Sequence, residues 1–205
     1  GPFALVNQNF TTATNSYNVA VGYDAGVSVT TGVKNTLIGG LAGDAITDAD
    51  SNVAIGFESL TTNQLGSKSV AVGQGTLSNQ NPATAADMYN VGVGFNAGAN
   101  VSTGIQNTLI GGLAGDALTV GGTNVAVGVS ALGADTLGSS SVAIGSSALR
   151  LQNFTTATDV FNVAIGRAAG ENVTTGINNV LIGGEAGDAL TDADFNIAIG
   201  KGALG

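Results

Sequence analysis

The sequence predicts an all-β parallel solenoid of about 12 coils. Three observations carry this: a unit repeated eleven times, an alternating strand pattern in every unit, and a glycine closing each strand. The unit is Asn or Ser, then Val, Thr or Ile, then Ala, Gly or Leu, then Val or Ile, then Gly. It begins at Asn18, Asn35, Asn52, Ser69, Asn90, Asn107, Asn124, Ser141, Asn162, Asn179 and Asn196. Coils of 17, 17, 17 and 21 residues build a 72-residue super-repeat. Super-repeat 1 spans 18–89, super-repeat 2 spans 90–161, and an incomplete third spans 162–205, all in one solenoid domain. The string QNFTTAT at 8–14 recurs at 152–158, so 1–17 reads as a partial fourth coil. Gly1-Pro2 reads either as a tag scar or, because Gly1 is in register with Gly145, as part of that coil. The chain reads as a segment of a longer repetitive rod.

Each element follows from its residue types. Asn or Ser at position 1 bonds local backbone groups at a strand entry, and stacked Asn residues form ladders. Positions 2 to 4 alternate β-branched and small residues, the mark of a short strand. Gly at position 5 implies a bend where a side chain would obstruct the adjacent segment. Position 8 is always small, from Ala25 to Ala203, and position 9 is Gly in first and second coils but Leu in third and fourth. Position 12 is apolar in first and second coils, as in Val29, Ile46 and Leu118, before turn-rich sequence such as Thr47-Asp48-Ala49-Asp50. That pattern predicts a second, weaker strand.

Position 3 opposes positions 2 and 4 across the strand, yet it is Ala, Gly or Leu throughout. Both strand faces are therefore dry. One fills the lumen, and the other, small and close-packing, is expected to meet a copy of the same chain. Ala20, Leu37, Leu109 and Leu181 are the interface residues this reading selects.

Composition removes most chemistry. With no His and no Cys, imidazole bases, thiolate nucleophiles and His or Cys metal sites are absent. A net charge of −9 with five Lys and Arg argues against phosphate-driven nucleic-acid binding. No apolar run is long enough for a membrane helix, so no membrane insertion by this segment is expected.

The strings NVAVGYDAG at 18–26, SVAVGQGTL at 69–77 and SVAIGSSAL at 141–149 resemble the SVAIG-type repeat of trimeric autotransporter adhesin heads. They are also similar to the NVAIG repeats of phage tail fibres and related bacterial trimeric surface fibres. The resemblance covers all eleven coils, although adhesin heads use a shorter coil. It implies a left-handed parallel β-roll assembled as a homotrimer, in an extracellular fibre on a bacterial cell surface or a virion. Its partners would be itself and a host or prey cell-surface glycan or protein.

Two groups of residues remain as site candidates. Asp44, Asp48 and Asp50, with Asp188, Asp192 and Asp194, could bind calcium through carboxylate oxygens, because GGLAGDAI at 39–46 nearly matches a calcium-binding nonapeptide. Super-repeat 2 keeps Asp116 but has Val120 and Gly122 in place of the other two, which favours a solvated acidic turn. The long fourth coils, at 8–17, 80–89 and 152–161, are expected to leave the solenoid as loops. Their aromatics Phe10, Tyr17, Tyr89, Phe154 and Phe161 either contact a partner or clamp the assembly. Catalysis by paired carboxylates is disfavoured because these residues are periodic whereas an active site is singular. The expectation is a non-enzymatic, cofactor-free structural or adhesive fibre segment, with a glycan-binding or glycan-cleaving receptor module of a phage tail fibre as the alternative.

Overall fold

Positions 2 to 4 of every unit form a three-residue strand, from Val19–Val21 to Ile197–Ile199. The eleven strands pair in parallel and in chain order in one sheet. Like stacks on like: Ala20 pairs with Leu37, and Leu37 pairs with Ala54. The computed structural model describes residues 1–205 as an all-β parallel β-solenoid of about 11 turns, spaced 17 residues apart except across the two long 21-residue coils, and containing no helix. Residues 1–17 add a partial coil without a strand. It is in register, because Leu5 N–H donates to Ala25 C=O and Asp24 N–H donates to Pro2 C=O.

Only 22 of the 117 backbone hydrogen bonds lie within strands, so the coils are joined mainly through their turns. The second strand expected near position 12 does not form. Instead Val29 N–H donates to Gly26 C=O and Val27 N–H to Asp24 C=O, giving consecutive tight turns. Their cause is alternating left-handed residues at positions 7 and 9, such as Asp24 (φ 53) and Gly26 (φ 60). The apolar residue at position 12 nonetheless points inward, and Val29, Ile46, Val101 and Leu118 are fully buried.

These tight turns leave a narrow lumen, filled by Ala and by one or two larger aliphatics per coil. Leu37 occupies space left by glycine at position 9: a Cβ on Gly43 would lie 2.8 Å from Leu37 Cδ2. In third and fourth coils the roles exchange. Leu60 and Leu77 enter from position 9, in left-handed conformations, and position 3 is Ala54 or Ala71.

The asparagine ladder is a main support. Asn107 Oδ1 accepts from Asn124 N–H at 3.0 Å, and its Nδ2 donates to Gly121 C=O at 2.9 Å. Asn35, Asn52 and Asn124 repeat both bonds. Replacing buried Asn107 by Ala would leave a buried N–H and a buried C=O without partners. The expected cost is about 2–4 kcal/mol, read by chemical denaturation. Asn107→Ser, the residue at two natural coil starts, should cost less.

Candidate functional site

Strand alternation turns position 3 inward. Leu37, Leu109 and Leu181 are buried at 0% exposure within the single chain, and Ala20 packs against the same core. Leu37, Leu109 and Leu181 therefore have no surface to offer a second copy, and the half-buried Ala20 faces the same core. The physical reason is the lumen's width: coils closed by such tight turns admit small residues and occasional leucines, so the small face goes inside.

The face left outside is formed by positions 2 and 4. Every residue there is Val or Ile except Thr36 and Thr108, and none is charged. Val19, Val21, Ile38, Ile110, Ile144, Ile165, Ile197 and Ile199 are exposed, and the remainder are half-buried. Position 6 widens the stripe with exposed Tyr23, Phe57, Phe95 and Val129. An apolar surface this continuous is uncommon on a protein that stays alone in water.

The acidic turns serve the stacking of coils. Asp44 accepts from Thr61 Oγ1 at 2.6 Å, and Asp50 accepts from Val33 N–H at 2.8 Å. Asp48 accepts from Thr31 Oγ1 at 2.6 Å and Thr30 Oγ1 at 2.9 Å, and these bonds hold its carboxyl below its ordinary value. In the third super-repeat, Asp194 accepts from Ile177 N–H at 2.7 Å and Asp192 from its neighbour Thr191. The calcium candidates Asp44, Asp48, Asp50, Asp188, Asp192 and Asp194 are not gathered into any group of three acidic side chains around one point.

The long coils are less loop-like than expected. Gln80 and Gln152, at their starts, are fully buried, as are Met88 and Val160 near their ends. Ala86–Asp87 pairs in parallel with Gly66–Ser67, and Thr158–Asp159 pairs with Gly138–Ser139, tying the added residues to the preceding coil. Phe154 is 7% exposed, so it offers a partner little surface. Phe10 is half-buried. Tyr17, Tyr89 and Phe161 are exposed in left-handed conformations. Tyr89 is engaged within the chain: Lys68 Nζ donates to its hydroxyl at 3.2 Å and lies 5.3 Å from its ring centre.

Sequence reasoning missed the buried polar residues at position 12 of third and fourth coils: Asn63, Gln80, Asp135 and Gln152. Where serine interrupts the asparagine ladder, Gln80 and Gln152 bridge it. Gln152 Nε2 donates to Asp135 Oδ2 at 2.6 Å and to Ser141 Oγ at 3.1 Å, and Gln152 Oε1 accepts from Asn162 Nδ2 at 2.9 Å. Gln80 Oε1 likewise accepts from Ser69 and Asn90. The available signal was the switch from apolar to polar at one fixed position in alternate pairs of coils.

Comparison with family models, with curated proteins and with solved structures gives no match for this chain.

Proposed function

We propose that the chain is a rigid, non-enzymatic segment of a homotrimeric extracellular fibre, of a bacterial surface adhesin or of a virion, that spaces or presents an adhesive surface. The observation that carries this reading is the Val and Ile stripe on the outward face of eleven stacked strands. Its length, about 50 Å at roughly 4.8 Å per strand, gives one long seam rather than a compact patch. A second copy brings an identical stripe at the same spacing, so copies side by side remove the apolar face from water coil by coil. Three copies, with left-handed coils, are the arrangement implied by the SVAIG-like repeat. The acidic side chains bonded between coils support a structural role for the only candidate catalytic groups.

Light scattering at micromolar concentration tests the reading. The expected mass is three times 19.9 kDa. A stable, folded monomer overturns it.

A further inference from the structure

The surface carries an open pocket of about 250 Å³ lined by Leu113, Asp116, Ser130, Gly133, Ala134, Arg150 and Leu151. These residues stand at positions 7, 10 and 11 of three consecutive coils, away from the Val and Ile stripe at positions 2 and 4. The pocket lies where super-repeat 2 differs from super-repeat 1. Seventy-two residues earlier the equivalents are Leu41, Asp44, Glu58, Thr61, Thr62, Ser78 and Asn79, and only the Leu and the Asp are kept. There Thr61 fills the space and donates to Asp44 at 2.6 Å. Here Gly133 removes that side chain, and Asp116 lacks the donor. A Cβ on Gly133 would sit 3.6 Å from Asp116 Oδ1, so the missing threonine is what opens the site beside the carboxylate.

The lining groups define the ligand. Asp116 offers acceptors only, and burial pushes its carboxyl above its ordinary value. Arg150 offers donors only. Its Nε donates to Glu171 at 2.8 Å, and its terminal nitrogens make no bond within the chain. A small cation would engage Asp116 but leave the terminal nitrogens of Arg150 without a partner, and a small anion would do the reverse. A neutral molecule with adjacent hydroxyls, each both donor and acceptor, satisfies both groups. Leu113, Ala134 and Leu151 supply an apolar wall for C–H groups. The volume lies below the roughly 300–1,000 Å³ of sites that hold drug-sized molecules, which limits the ligand to one compact ring. We infer that this pocket binds a single neutral pyranose, through Asp116 and Arg150 to vicinal hydroxyls and through the leucines to the ring face. The site is complete within one chain and does not rest on the fibre reading.

Saturation-transfer NMR on the full chain with D-glucose, D-galactose, D-mannose and N-acetyl-D-glucosamine, each at millimolar concentration, tests the inference. At least one sugar should give ring-proton signals. Gly133→Thr, which restores the arrangement of Thr61 and Asp44, should abolish them with the fold intact by circular dichroism. Asp116→Asn should weaken binding about tenfold or more, as expected when a charged hydrogen-bond acceptor is lost. Silence from all four sugars overturns the inference. So do signals that persist in both variants, or displacement of the sugar by methylammonium or acetate. The mass of the same sample is an independent readout: a monomer that binds sugar refutes the fibre reading alone, and a trimer that binds none refutes the pocket alone.

Discussion

Leu109→Asp is expected to leave the chain unfolded, whereas Ile110→Asp, one residue further on, is expected to leave it folded but monomeric. The two positions are adjacent on one strand and point to opposite faces. Leu109 is fully buried, and added Cβ atoms on Gly98 and Gly115 would lie 2.6 and 2.7 Å from its methyl groups, so it fills glycine-lined space in two coils. A carboxylate there has no cation or donor to meet, and the penalty exceeds about 4 kcal/mol, the range in which single substitutions unfold domains. Ile110 is 38% exposed in the single chain. Asp at that position costs the isolated solenoid little but would place carboxylates within the proposed seam between copies. Circular dichroism and light scattering on the two variants separate the outcomes. A folded Leu109→Asp protein contradicts the lumen assignment, and an Ile110→Asp trimer contradicts the stripe as the assembly surface.

Gly128→Ala is expected to destabilise the solenoid by about 2–6 kcal/mol, from backbone strain and overpacking together. Gly128 closes its strand at φ 137, a conformation rare for residues with a side chain. An added Cβ would lie 2.5 Å from the carbonyl carbon and oxygen of Gly145 in the next coil. That neighbour is backbone already committed to intercoil hydrogen bonding, with Gly145 N–H donating to Val127 C=O at 2.7 Å. It cannot rotate away as a side chain would, so the coils would have to part locally. Gly112→Ala is the control: no atom lies within 4 Å of its added Cβ, and its expected effect is within about 0.5 kcal/mol. Thermal and denaturant unfolding of both variants check the contrast, and equal stabilities would show that the glycine column is not a steric requirement.

The residues themselves show how far sequence reasoning reaches. The 17-residue spacing, the strand at positions 2 to 4, the asparagine at position 1 and the glycine at position 5 were legible because stacking makes them local and periodic. Each residue meets its own counterpart one coil away, as Ala20 meets Leu37 and Gly128 meets Gly145. Repetition thus converts a tertiary contact into a sequence pattern. The pocket at Asp116 was not legible, since it turns on one side chain, Gly133 where super-repeat 1 has Thr61, and only becomes a pocket once three coils are superposed.

What the sequence by itself determined is a parallel solenoid with two dry strand faces, because alternation separates position 3 from positions 2 and 4 without saying which is inside. Only the tertiary structure decided that question. The alternating left-handed residues at positions 7 and 9 close each coil so tightly that the lumen admits alanine and occasional leucine, which sends the small face inward and leaves Val and Ile in the open. The same tightness makes the expected second strand a run of turns, and draws Gln152 of the long coil into the interior. A one-dimensional pattern records which residues share a face, but the width of the space each face encloses depends on backbone turns that bring distant coils together.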